Sequence, residues 1–102
     1  MLVTALELDG HEVDEAGDAR EGLTHLASAR YDLVITDYAM PGETGVWMLH
    51  EAARLGSLHD AMALMVTAHP GVPETSDLEV IAKPLDIDYF LDQVRRILSS
   101  SA

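Results

Sequence analysis

The chain contains no cysteine. Disulfides and thiolate metal sites are therefore excluded, and the absence suits a cytoplasmic protein. Basic residues are scarce: 6 Lys and Arg stand against 18 Asp and Glu, a formal charge of −12 at pH 7. Nucleic-acid binding needs clustered cations to neutralise phosphates. Only Arg95 and Arg96 adjoin, so no nucleic-acid partner is expected. Apolar runs are far shorter than the ~20 residues of a membrane helix, and no membrane partner is expected. Met1 to Leu8 carries Glu7 and no basic flank, unlike a secretory signal. The seven glycines are scattered and form no phosphate loop. The five histidines, His11, His25, His50, His59 and His69, include no pair at helical ligand spacing, so zinc is not expected. A phosphohistidine role for His25 or His50 ranks below a plain solvated position. No Ser-His-Asp ordering supports a hydrolase, and the chain is not expected to be an enzyme.

With 102 residues, 48% apolar and 24% charged, the chain has the make-up of one globular domain. We place that domain at 1–98, followed by a frayed tail at 99–102. Three short apolar runs read as strands: Leu33-Val34-Ile35, Ala63-Leu64-Met65-Val66 and Val80-Ile81-Ala82. Continuous apolar strands suit a parallel sheet covered on both faces. His11 to Ala16 reads as a weaker strand. Helical stripes lie between them. Met1 to Asp9 reads as a helix ending at Gly10. Ala19, Leu23, Leu26 and Ala27 share a face behind a capping-box-like Asp18 and Glu21. Val46, Leu49 and Ala53 form a stripe closed by Gly56, and Trp47 opens that helix as a packing residue. Phe90, Leu91, Val94, Ile97 and Leu98 follow an N-cap at Asp86 or Asp88. The order predicts an α/β fold with right-handed crossovers.

In such sheets, functional residues gather beyond the carboxyl ends of the strands. Asp37, Thr67 and Lys83 each close one of the three strong strands, so an acid, a hydroxyl and an amine should meet at one rim. Alone, each has a bland reading: a strand-end Asp is usually a turn former, and a strand-end Thr or a Lys-Pro step is usually structural. Together they can handle an anion. The Asp37 carboxylate can attack a phosphoryl group and hold it as an acyl phosphate. Lys83 can neutralise its charge, and Thr67 can donate to a phosphoryl oxygen.

The string Asp32-Leu33-Val34-Ile35-Thr36-Asp37-Tyr38-Ala39-Met40-Pro41-Gly42, followed by Thr44-Gly45, resembles the phosphoacceptor segment of bacterial response-regulator receiver domains. Val66-Thr67-Ala68 and Lys83-Pro84 resemble the hydroxyl-bearing and lysine-bearing strand ends of that family. Gly10 to Val13 and Asp18 to Leu23 resemble its approach to the second strand and helix. The resemblance implies a flavodoxin-like doubly wound parallel sheet and phosphorelay signalling in two-component systems. It makes Asp37 the phosphoacceptor, Thr67 the switch hydroxyl and Lys83 the phosphoryl-contacting amine, with a cis Lys83-Pro84 bond. It also makes Asp37 and the backbone carbonyl of Ala39 contacts for Mg²⁺. The implied partners are a sensor histidine kinase or phosphotransfer protein and a downstream protein target.

Family members begin with a strand ending in two acidic residues that ligate Mg²⁺. Here Met1 already falls inside the first helix. The expectation is an N-terminally truncated receiver without that strand and acidic pair, of about four strands, with weakened or absent Mg²⁺ binding. Either His11 to Ala16 pairs directly with Asp32 to Thr36, or a second copy covers the gap as a homodimer. Val80 stands three residues before Lys83, where the family usually has an aromatic. The breaker-rich His69-Pro70-Gly71-Val72-Pro73 predicts a fourth helix that is short or absent. The alternative function is a degenerate pseudo-receiver, an interaction or dimerisation module independent of phosphate.

Overall fold

β-Branched and apolar runs that lack breakers form the sheet. A computed structural model describes residues 2–37, 42–59, 61–68 and 79–100. Its strands are β1 (Leu33–Thr36), β2 (Met62–Thr67) and β3 (Glu79–Ala82), all parallel, in the order β1-β2-β3. Register sets Val34 beside Ala63 and Thr67 beside Ala82. The helices are α1 (Leu2–Leu8), α2 (Ala19–Ser28), α3 (Gly45–Arg54) and α4 (Ile87–Ser100). This is an incomplete doubly wound α/β fold.

The sheet has three strands among the described residues, one fewer than expected. His11 to Ala16 is irregular and pairs with nothing in the sheet. Its alternating pattern survives only as Val13 packing onto the core. Strand geometry is not stable without a backbone partner, and this segment stands away from β1 across an open cleft.

Alternate side chains of a strand face opposite sides, and two cores follow. On one face Leu6 of α1 and Phe90, Val94 and Ile97 of α4 pack on Leu64, Val66 and Ile81, with Leu33 and Ile35 beside them. On the other, Ala19 of α2 and Met48 and Leu49 of α3 pack on Val34 and Ala63.

Caps set the helix starts. The Asp18 carboxylate accepts from the Glu21 N–H at 2.8 Å, and Thr44 Oγ1 accepts from the Trp47 N–H at 3.0 Å. Asp86 caps α4 by accepting from the Tyr89 N–H at 3.0 Å, which decides between Asp86 and Asp88. Gly10 follows α1 at φ 92°, where a side chain would be strained. Two stripe positions differ from expectation. Ala53 is exposed while Ala52 is buried, and Ala27 is exposed beside buried Leu26. α4 also runs through Ser99 and Ser100, assigned above to the tail, because buried Ile97 and half-buried Leu98 anchor its last turns. Trp47 is half-buried, with the Arg20 guanidinium 5.2 Å from its ring centre, so it joins α2 to α3.

An ion pair ties α1 to α4. Asp9 accepts from Arg95 at 2.7 and 3.0 Å, and these bonds hold its carboxyl below the usual 3.8. A carboxyl whose pKa falls on folding adds stability that is present above its unfolded value and is lost as pH drops through the folded value. Asp9→Asn should therefore be less stable than wild type at neutral pH. The two should converge below pH 3.8, as read by urea midpoints down the acid limb.

Candidate functional site

Parallel strands that run the same way bring the residues after their carboxyl ends to one rim. Asp37 directly follows β1 and Lys83 directly follows β3. Lys83 Nζ donates to Asp37 Oδ2 as an ion pair that spans the end of the intervening β2. Both side chains are partly exposed, 44% for Lys83 and 34% for Asp37. Such a pair contributes about 0–1 kcal/mol to stability, so its placement matters more for chemistry than for folding. The Lys83 N–H donates to the Thr67 carbonyl at 2.8 Å, which extends the β2–β3 ladder by one bond and aims the lysine along the rim. The Lys83-Pro84 peptide bond is cis.

Asp37 and Lys83 border a recess of about 140 Å³ with Ile35, Thr36 and Val66. A water takes ~30 Å³, so a phosphoryl group fits there. One wall is apolar, one side carries an ammonium, and a carboxylate points across the gap. The arrangement can accept a phosphoryl group on oxygen and hold its charge against Lys83.

Thr67 is placed differently from Asp37 and Lys83. It ends β2 beside them but is only 1% exposed and does not line the recess. Its carbonyl holds the Lys83 backbone at the rim. Two neighbours emerge that sequence reasoning did not single out. The Thr36 hydroxyl donates to the Asp37 carbonyl at 3.0 Å. Gly45, the first residue of α3, lies so close to Asp37 that a Cβ there would stand 2.1 Å from the Asp37 carbonyl oxygen and 2.6 Å from Thr36 Oγ1. The signal in the sequence was the Thr44-Gly45 pair at a helix start.

A divalent cation such as Mg²⁺ wants several oxygens in octahedral array. Among the described residues, no group of three His, Asp or Glu side chains could hold a metal ion. Among the described residues, Asp37 is the one carboxylate bordering the recess. Ala39, whose carbonyl was the second expected contact, lies outside the described residues, as do His69 to Pro73 and any fourth helix of the family. The donor set described does not fit Mg²⁺.

The chain is an incomplete doubly wound α/β domain with an acid and a lysine paired across the carboxyl rim of its parallel sheet. The model of the response regulator receiver domain matches residues 1–95. The chain belongs to the response-regulator receiver family. It is 34% identical over 100 residues to the CAI-1 autoinducer sensor kinase/phosphatase CqsS of Vibrio cholerae, covering 87% of this chain and 14% of that protein. The chain spans less than half the length of the curated relatives it matches. Among solved structures, a CheY-like receiver domain protein from Methanospirillum hungatei superposes with a TM-score of 0.88 at 24% identity, over 98% of this chain and 83% of that one. The response regulator TrrA of Thermotoga maritima, in complex with Mg(2+)-BeF, gives a TM-score of 0.81 at 28% identity, over 94% and 85%. No described helix is long and apolar enough to cross a membrane.

Proposed function

We propose that this receiver takes a phosphoryl group onto Asp37 and signals through protein contacts. The Asp37–Lys83 pair across the end of β2 carries this reading. A carboxylate oxygen of Asp37 forms the new O–P bond as the donor's bond to phosphorus breaks and the donor group leaves. Lys83, already at the carboxylate, then faces the added negative charge. Thr67, which ends β2 between Asp37 and Lys83, serves as the switch hydroxyl in this proposal. Upstream stands a sensor histidine kinase or phosphotransfer protein, and downstream a protein target, in the cytoplasm. In this proposal any Mg²⁺ held by Asp37 and the Ala39 carbonyl is bound weakly, since Asp37 is the one carboxylate at the recess among the described residues.

Acetyl phosphate with intact-mass detection tests the proposal. One phosphoryl group should add to the wild-type chain, and Asp37→Asn should abolish the addition. No addition at any Mg²⁺ concentration, or addition unchanged in Asp37→Asn, overturns it. That result would leave the second reading, a pseudo-receiver held by a fixed Asp37–Lys83 pair and working without phosphate as an interaction or dimerisation module.

A further inference from the structure

Thr36 is the last residue of β1, and Asp37 is the first beyond it. Strand alternation puts Thr36 on the same face as Val34, the face that α2 and α3 cover with Ala19, Met48 and Leu49. That face is apolar, and Thr36 is 6% exposed. Valine has nearly the same shape and would fill the place. A hydroxyl there needs a hydrogen bond to offset its loss of water. The Thr36 hydroxyl donates to the Asp37 carbonyl at 3.0 Å. It therefore acts on the main chain of the residue whose carboxylate meets Lys83.

The Thr36 side chain is held from behind. A Cβ on Gly45 would stand 2.6 Å from Thr36 Oγ1 and 3.1 Å from Thr36 Cγ2, so both branches lie against the first residue of α3. A β-branched side chain is stiff at χ1, and α3 forms a wall on both of its branches. α3 is itself fixed, capped by Thr44 and packed through Met48 and Leu49 onto the sheet. The hydroxyl thus joins the covered face of the sheet to its rim. The carbonyl and the Cβ of Asp37 share one Cα, so holding the carbonyl limits where the carboxylate can point.

We infer that Thr36 is a positioning residue. Its hydroxyl holds the Asp37 main chain so that the carboxylate meets Lys83 at the recess that all three residues border. It acts through Asp37 and not on the phosphoryl group. A reacting group displaced by 1 Å can lose about a hundredfold in rate, so a single bond to the acceptor's backbone has a large lever. The consequence for phosphoryl transfer rests on Asp37 being the acceptor. The consequence for the Asp37–Lys83 pair does not.

Thr36→Val and Thr36→Ser in the full chain test the inference. Valine keeps the shape and loses the hydroxyl, whereas serine keeps the hydroxyl and loses a buried methyl. The first readout is intact-mass labelling over a range of acetyl phosphate concentrations. Thr36→Val should lower the maximal rate at least about tenfold with little change in the half-saturating concentration, and Thr36→Ser should stay within about twofold of wild type. Serine should nevertheless lower the urea midpoint, whereas a purely structural role would lower stability and labelling together. The second readout needs no phosphate. Lys83 is the chain's single lysine, and acetic anhydride acetylates a free amine faster than one held by a carboxylate. Acetylation read on the Lys83 peptide should rise about two- to fivefold in Thr36→Val and stay at the wild-type level in Thr36→Ser. If Thr36→Val fails to fold, Thr36→Ala replaces it with the same expected losses. Wild-type labelling in Thr36→Val, an equal loss in Thr36→Ser, or unchanged Lys83 acetylation in Thr36→Val overturns the inference. No labelling of any of these proteins, with Lys83 acetylation still raised in Thr36→Val, overturns the acceptor role of Asp37 and supports the hold of Thr36 on its carboxylate.

Discussion

Phe90→Ala should destabilise the chain by about 3–5 kcal/mol. Phe90 is 0% exposed and is the largest fully buried side chain among the described residues. It sits on α4 against Leu64, Val66 and Ile81, so one ring joins the helix to two strands of the sheet. Truncation removes its burial and leaves a cavity that surrounding groups fill only in part. A domain of this size is stable by about 5–15 kcal/mol in total. The loss is thus roughly a fifth or more of the whole, and lowers Tm by roughly 12 °C or more. Urea unfolding at constant m value checks it. Tyr89→Ala, one residue away and 53% exposed, should stay within about 0.5 kcal/mol of wild type. The contrast between neighbours ties the effect to burial rather than to helix propensity. A consequence reaches the rim, because α4 begins four residues after Lys83. A loosened α4 frees the turn that holds the lysine, so Phe90→Ala should also slow phosphoryl addition to Asp37.

The rim was legible because parallel strands convert a linear pattern into a spatial one. Asp37 and Lys83 each follow an apolar run, and parallel runs that pair with the same middle strand end on the same side of the sheet, here within two residues of each other. What escaped the sequence depends on partners that are not local. The alternation in His11 to Ala16 matches a strand, but a strand exists by its neighbour's peptide groups, and none lies within reach. Helical spacing places Ala52 and Ala53 almost equally well toward the sheet, and only packing of α2 on α3 selects Ala52. Thr67 ends a strand as the sequence indicates, but its 1% exposure is not legible there. Its burial follows from the layers above β2, which the strand does not encode. Gly45 was visible as a residue and invisible as a constraint, since its crowding arises from the chain eight residues earlier.

That crowding yields the second large effect. Gly45→Ala should destabilise the chain by about 1–3 kcal/mol and disturb Asp37 more than any other group. The new Cβ would stand 2.1 Å from the Asp37 carbonyl oxygen, a backbone atom that cannot rotate away. Relief requires α3 to move out or the β1–Asp37 turn to shift. Moving α3 opens the core of Met48 and Leu49 against Val34. Shifting the turn breaks the 3.0 Å bond from the Thr36 hydroxyl to the Asp37 carbonyl and swings the carboxylate off Lys83. Alanine is otherwise favoured over glycine within a helix by roughly 1 kcal/mol, so helix propensity alone predicts a gain in stability. A measured loss therefore isolates the steric cost at the rim. Gly22→Ala is the comparison: its Cβ would meet Met48 Sδ at 2.5 Å, but a thioether chain can change rotamer. Gly22→Ala should cost less and leave Asp37 labelling by acetyl phosphate near the wild-type rate, whereas Gly45→Ala should lower it at least about tenfold, on the scale of a 1 Å misplacement of a reacting group. Equal labelling of the two variants would mean that α3 does not position Asp37.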